Sequence, residues 1–529
     1  MAKSYRPVLR DQPMLMPVDM REWLPPDHLA WFVIDTIEAL DTSALEGTRR
    51  RGGAGAAGYD PSMLLALLVY AYCQGVRSSR QIERLCVTDV AFRVLCAQDG
   101  PDHATIARFR VDAGEVFADL FAQVLMIAAR EGLAHFGTVA IDGTKITANA
   151  SIDANRGRDW FARHAADVLA EAEQADAAED AAAATHGEQQ TDRVPVDQSG
   201  GASRRARIAR AARELRDQQQ RAQQASAELV ANARDRVERS RRGEPVRGRI
   251  PKGEHHLAEA RAHLDREIAA HQDKLDRHAK LIAAGKKPMG RPPVPIDEST
   301  RVARARRVVA NAEAAAEKQA NGQTAASDKN KNLPTIVANT TDPDSRIMPT
   351  RRGFVQGYNT QVAITGDQVI AAVQVGQSTN DQTSFTPMMH AAQQTADRLH
   401  AATGSSEHRI GTLLADAGYN SNTNLTAKGP DRLIALGKGR DQSRRADDNP
   451  ATGAPPSDAG PREANAHRLR TSQGRELYKR RGATVEPGIG NLKKILDRFS
   501  RRGLDAASAE LHLAATAFNL KKIHTAAVT

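Results

Sequence analysis

Apolar residues recur along the first 135 positions in steps of three and four, the spacing of a helix that buries one face. Asp60 followed by Pro61 reads as a helix cap and a proline suited to the first turn, and the run MLLALLVYAYC (63–73) continues that helix. A second helix is expected to start at Ser78, with Gln81 three residues on as in a capping box. A third follows Asp102 and carries Ile106, Phe109, Phe117, Leu120, Phe121, Val124 and Ile127 on one face. Residues 1–135 therefore read as a compact helical domain.

At about 136 the period changes. GTVAIDGTKITANAS alternates apolar and polar residues and is rich in β-branched types, which suits a strand. Further strands are expected at 357–365, 368–376, 409–418 and 431–438, with helices at 384–400, 421–428, 487–499 and 506–522. Strands followed by alternating strand and helix suggest one mixed α/β domain, built from 136–151 and 336–529. Between those pieces, 152–335 is rich in Ala, Arg, Glu and Gln and lacks a strand signal. Ile208, Leu215, Ala222 and Leu229 lie seven apart, and Leu264, Ile268, Leu275 and Ile282 form a second stripe. With a Gly- and Pro-containing loop at 241–253 between them, these predict an antiparallel coiled-coil hairpin. Its flanks, 176–202 and 316–332, read as flexible on composition.

Composition narrows the class. Hydrophobic residues make up 40% of the 529, enough for a packed core. The balance of 74 Lys+Arg against 64 Asp+Glu leaves a net charge of +10, which favours a polyanionic partner. Cys73, Cys86 and Cys96 match no zinc spacing and sit in apolar stretches, so they read as buried thiols of a reducing cytoplasm. The polar start MAKSYRPVLRDQ lacks the apolar segment of a secretory signal. The run 63–73 is shorter than the roughly 20 residues a membrane span needs, so no membrane partner is expected. GAGAAG (53–58) lacks the Lys-Ser/Thr of a phosphate loop.

Three carboxylates stand out by position. Asp142 lies in the apolar strand TVAID, and Asp416 ends LLAD before a break at Ala417-Gly418. A carboxylate at the end of a buried strand costs desolvation unless a cation or donor compensates it. Glu486 precedes Pro487, which suits the mouth of a helix, with Lys493 two turns on. Asp, Asp and Glu from three elements are able to hold two Mg²⁺ ions, with Mn²⁺ as a substitute. Other charged positions read more simply: Asp344 and Arg346 as an ion pair or turn, Asp381 as a cap, His103 as structural.

The motifs around these residues resemble those of bacterial insertion-sequence transposases of the DDE class. The resemblance rests on YDPSMLLALLVYAYCQGVRSSRQIE and PDHATIARFR in the first domain. It continues through AIDGTKITANAS, TDPDSRIM, GYNTQVAI, ND (380–381), ADAGYNS, YKRRGATVEPGIGNLKK, RRGL and FNLKK. It covers the chain except most of the insertion. It implies a ribonuclease-H-like catalytic domain behind a helical DNA-binding domain, with Asp142, Asp416 and Glu486 as the catalytic, metal-binding triad. Tyr478, Arg481 and Lys493 are then DNA contacts. The family signature places Tyr, two residues, Arg, three residues, Glu, six residues, Lys. Here four residues separate Arg481 from Glu486, one too many, while Glu486 to Lys493 keeps its spacing. Glu476 is the rival third carboxylate. The implied reaction is Mg²⁺-dependent cleavage at terminal inverted repeats and joining to target DNA, by a homo-oligomer, in the cytoplasm and at the nucleoid. The alternatives are an inactive DNA-binding relative and a coiled-coil assembly protein.

Overall fold

The computed structural model describes residues 19–46, 58–164, 200–244, 246, 254–286, 291–320, 336–437 and 439–528. The start of the chain, most of GAGAAG, most of the 241–253 loop, and 176–199 and 321–332 of the expected flexible flanks lie outside them. Residues 200–202 and 316–320 of those flanks are helical. Among the described residues no helix is long and apolar enough to cross a membrane.

The amino-terminal region is helical, as its period requires. Its longer helices are α1 (Leu29–Ala39), α2 (Pro61–Cys73), α3 (Ser79–Thr88), α4 (Val90–Leu95), α5 (His103–Asp112) and α6 (Phe117–Arg130). Asp60 caps α2 by accepting from the backbone N–H groups of Ser62 and Met63. Ser78 occupies the cap position of α3, but its hydroxyl makes no capping bond, so the expected box does not form. The single helix expected after Asp102 is two, broken between Asp112 and Phe117. Asp102 caps the first through Thr105 N–H. His103 faces Glu83 at 3.0 Å on α3, a structural pairing.

The strands of the main sheet are β1 (Thr138–Thr147), β2 (Arg346–Thr350), β3 (Gly353–Thr365), β4 (Ile370–Gly376), β5 (Thr412–Ala415) and β6 (Asp431–Ile434). β3 runs antiparallel to β1, β2 and β4, whereas β1, β5 and β6 are mutually parallel neighbours. The expected mixed α/β fold is thus present. Helices α10 (Phe385–Thr403), α11 (Ser472–Ile495) and α12 (Leu504–Val528) pack on the sheet, and α7 to α9 belong to the insertion.

One hydrophobic core runs from the amino-terminal helices through the sheet, joining Leu65 and Val124 to Val139, Leu413 and Leu511. The described residues up to 214 and from 338 onward form one compact unit, and the amino-terminal helices share their core with α12. Two polar contacts tie them further: the buried Tyr72 hydroxyl donates to Glu510 at 2.8 Å, and Lys521 Nζ to the Cys73 carbonyl at 2.9 Å. Cys73, Cys86 and Cys96 are buried free thiols.

The described residues within 215–337 form the second compact unit. The helices of the insertion are α7 (Gly200–Arg241), α8 (Glu254–Ala283) and α9 (Thr300–Ala320). The third was not expected, because its arginines masked the apolar stripe of Val302, Ala305, Val309 and Ala312. That stripe packs on α8, where Ala260 meets Val309 and Ala312, while Arg236 of α7 pairs with Glu259 at 2.8 Å.

Candidate active site

Strand register builds the centre of the site. Ile141 of β1 lies beside Ala415 of the parallel strand β5, so the next residues, Asp142 within β1 and Asp416 just past the end of β5, stand at the same level. Asp416 becomes the cap of the turn that follows, its Oδ1 accepting from Gly418 N–H at 2.8 Å. Asp142 Oδ1 accepts from Gly143 N–H at 2.8 Å, and its Oδ2 faces Arg481 Nη2 at 2.8 Å. Burial pushes the Asp142 carboxyl up to about 6. Arg481 opposes that rise, and the neighbouring Asp416 and Asp381 add to it.

Arg481 arrives there because of its place on α11. Thr471 caps this helix through Gly474 N–H, well before the expected start at 487. Glu486 therefore lies inside a helix rather than at its mouth. Pro487 removes one backbone donor from the helix interior, leaving the carbonyl of Ala483 without its usual partner. Gln368 Nε2 approaches that carbonyl at 3.5 Å. At Gly488 the helix lies so close to β3 that an added Cβ would sit 2.4 Å from Ile364 Cδ1.

Tyr478, Arg481, Val485, Gly488, Leu492 and Ile495, among the buried or half-buried positions of α11, form a stripe at helical spacing. Val485 occupies the place four residues after Arg481. Glu486 falls one residue beyond the stripe and is exposed, as is Lys493. The extra residue noted in the signature therefore turns Glu486 off the face that carries Arg481. Tyr478 is half-buried, its hydroxyl 3.4 Å from the carbonyl of Ala415. Glu476 is exposed and paired with Lys479 at 2.6 Å.

The structure brings a further carboxylate to this centre. Asp381, expected to be a cap, makes no capping bond. Its Oδ1 accepts from Lys145 Nζ at 3.1 Å, Asn359 Nδ2 at 2.7 Å and Gln361 Nε2 at 2.9 Å. Gly143 permits this approach, since a Cβ there would lie 2.7 Å from Asp381 Oδ1. Oδ2 points toward the Asp416 turn, 3.7 Å from where a Cβ of Gly418 would be. Tyr419 is buried between these groups and donates to Gln361 Oε1. Its hydroxyl is pushed up by burial and by Asp142, Asp381 and Asp416. The only sequence signal for Asp381 was the short ND motif.

Asp344 and Arg346 do not pair with each other. Asp344 pairs with Arg210 at 2.7 Å and Arg346 with Glu214, both from the first part of α7. Asp344 Oδ2 also accepts from Leu504 N–H at 2.9 Å, fixing the start of α12.

Asp142, Asp416 and Asp381 offer only hard oxygen ligands, the donor type that Mg²⁺ and Mn²⁺ prefer. Arg481, held against the Asp142 carboxylate, shows that a positive charge fits beside it. Among the described residues, however, no group of three or more His, Cys, Asp and Glu is close enough to hold a metal as it stands. Residues 18–112 match the family described as a transposase domain, DUF772, and residues 446–524 match the family described as the transposase DDE domain. No curated protein and no solved structure matches the chain.

Proposed function

We infer that this chain, an insertion-sequence transposase of the DDE class by its two family domains, binds the terminal inverted repeats of a mobile element, cleaves its ends and joins them to target DNA. The observation that carries the catalytic reading is the parallel register that sets Asp142 beside Asp416. In this reading Asp142 and Asp416 are the primary metal ligands, and Glu486 supplies the third carboxylate from α11. Two divalent cations, Mg²⁺ or Mn²⁺, would supply Lewis-acid activation of water or a 3′-hydroxyl and stabilise the leaving oxygen.

The remaining groups position DNA. Arg481, Tyr478 and Lys493 share one helix, so a scissile phosphate near Asp142 meets a cation and a hydroxyl from the same element. Asp381 accepts from Lys145, Asn359 and Gln361 beside these carboxylates and fixes those side chains around the centre. Pairing of two element ends requires at least a homodimer.

The test is strand cleavage of a duplex bearing the element's own ends, taken from the DNA flanking the gene. Wild-type protein should nick it with Mg²⁺ or Mn²⁺ and not with EDTA, and Asp142→Asn and Asp416→Asn should each lose nicking while keeping DNA affinity. Nicking that survives in both variants removes the catalytic reading. The Arg481–Asp142 pair favours a second reading, a DNA-binding relative that does not cut. Specific end binding by a wild-type protein that never nicks would select it.

A further inference from the structure

Away from the carboxylates, the turn Gln74–Arg77 and the loop Leu496–Gly503 border an open cleft of about 600 Å³. Arg77, Arg80, Arg110, Arg498 and Arg501 line it, and of these Arg77 pairs with Asp497 of the bordering loop at 2.5 Å. Arg110 is the most telling of them. It is only 6% exposed, with Nη1 donating to Ser500 Oγ at 3.2 Å and Nη2 to the Arg77 carbonyl at 2.7 Å. Its Nε is buried without a partner, and no carboxylate lies within 4.0 Å of the guanidinium among the described residues. Glu510, linked to it through Ser500, is committed to Tyr72, Ser500 and Arg501. A buried guanidinium without an ion pair is costly and favours an incoming anion.

Two further observations give that anion a shape. Ser78 leaves the first turn of α3 without a side-chain cap, and Ser78, Ser79, Arg80 and Gln81 border the cleft. The backbone N–H groups of that turn are donors suited to a phosphate oxygen. On the other side of Gly75 a second cleft of about 420 Å³ carries Lys494, Lys521 and Lys522, with no carboxylate in its lining. Gly75 has φ +74°, and its added Cβ would lie 3.1 Å from the Lys494 carbonyl, so the turn rests against the end of α11.

We propose that these two clefts form one track for the phosphodiester backbone of duplex DNA, joining the amino-terminal helices to the end of the helix that carries Arg481 and Glu486. The proposal rests on the transposase reading for its choice of DNA. Two basins in a row suit a chain of phosphates better than one free anion. The track also spans both matched segments, with Arg77, Arg80 and Arg110 in the first and Lys494, Arg498 and Arg501 in the second.

The test uses the full chain in EDTA and a fluorescent 30-base-pair duplex of arbitrary sequence, followed by anisotropy over a KCl series. Arg80→Gln, Lys494→Gln and Arg498→Gln all change exposed side chains. Each should lower the slope of log K against log salt by about 0.9 per phosphate contact, and the triple variant by about 2 to 3. Arg130→Gln, at the exposed end of α6, should leave the slope unchanged. A triple variant with native circular dichroism and the wild-type slope overturns the proposal, as does an equal loss with Arg130→Gln. If the triple variant does not fold, the three single variants carry the same two outcomes. No cleavage occurs in EDTA, so a changed slope supports the track even if wild-type protein never nicks DNA. An unchanged slope removes the track and leaves the carboxylate chemistry standing.

Discussion

Arg481 reaches across from α11 to Asp142, with Nη2 2.8 Å from Oδ2, while its Nε is buried and unpartnered. The side chains are 14% and 21% exposed, so this ion pair lies in a partly desolvated setting where losing one member leaves a poorly solvated charge. A cation entering beside Asp142 must compete with it. Arg481→Gln should therefore lower the thermal stability of the metal-free protein, by about 2–3 kcal/mol. It should also enlarge the rise in Tm on adding Mg²⁺, because no pair has to be broken first. Scanning calorimetry in EDTA and in Mg²⁺ measures both. A Mg²⁺ shift equal to that of wild type would mean that Arg481 does not compete for this position.

The third ligand is tested by charge removal at constant shape. Glu486→Gln should abolish Mg²⁺-dependent cleavage and leave DNA affinity nearly intact. Asp381→Asn should weaken Mg²⁺ binding by about 10- to 100-fold, the usual cost of losing an outer-shell partner, and leave residual cleavage. The reverse result, cleavage surviving Glu486→Gln and vanishing with Asp381→Asn, would move the third ligand to Asp381. Glu476→Gln should have no effect, since that residue is exposed and held by Lys479. Titration calorimetry with Mg²⁺ alongside the nicking assay separates ligand loss from a slowed reaction.

What could be read from sequence follows physical contrast. β1 and β3 announce themselves by alternation and β-branched residues, and Asp142 and Asp416 by being charged at the end of an apolar run. The start of α11 could not be read in this way. Its first turns are polar, and Pro487 and Gly488 look like a boundary although they sit in the helix interior. The contacts that accommodate them, Gln368 at the Ala483 carbonyl and the flank of Ile364, come from residues more than a hundred positions away. Asp381 is missed for the same reason: its three donors lie on β1 and β3, and a local motif cannot reveal them. β2 contains Pro349 and pairs with β3 alone, an edge position that tolerates proline but lacks a strand's usual composition.

His512 reports on the union of the amino-terminal helices with α12. It stacks edge-on against Phe121 at 5.8 Å, and burial holds its imidazole below its usual value. A lowered histidine pKa means that the unfolded chain takes up the proton first as pH falls. Its contribution to stability is complete above about 6.5, the unfolded value, and is lost progressively below it. Between pH 8 and pH 5, wild type should lose more stability than His512→Gln in urea unfolding. Parallel losses in the two proteins would show that this histidine does not titrate differently on folding.

The insertion enters and leaves through a short ladder in which Asn155 pairs with Asn339 and Arg156 with Ala338. Antiparallel partners lie about 5 Å apart, so a Gly/Ser linker of a few residues replacing 157–337 closes the gap at small entropic cost. The strands on either side keep their own anchors, such as Asn339 Nδ2 on the Ser151 carbonyl at 2.8 Å and Thr340 N–H on the Ala154 carbonyl at 3.0 Å. Two ion pairs disappear with the start of α7, Arg210–Asp344 and Glu214–Arg346. Asp344 retains Leu504 N–H, and Arg346 keeps the carbonyls of Pro343 and Ser345. The deletion should therefore fold with native circular dichroism and a loss of about 2–4 kcal/mol, smaller than for fully buried pairs because Arg210 is largely exposed. Single-end nicking should survive, and pairing of two DNA ends or multimer formation should weaken more, since the arginine-rich arms leave with the insertion. Nicking and paired-end assays with sedimentation measure the difference. An unfolded product would make α7 part of the catalytic core, and unchanged end pairing would reduce the insertion to a spacer.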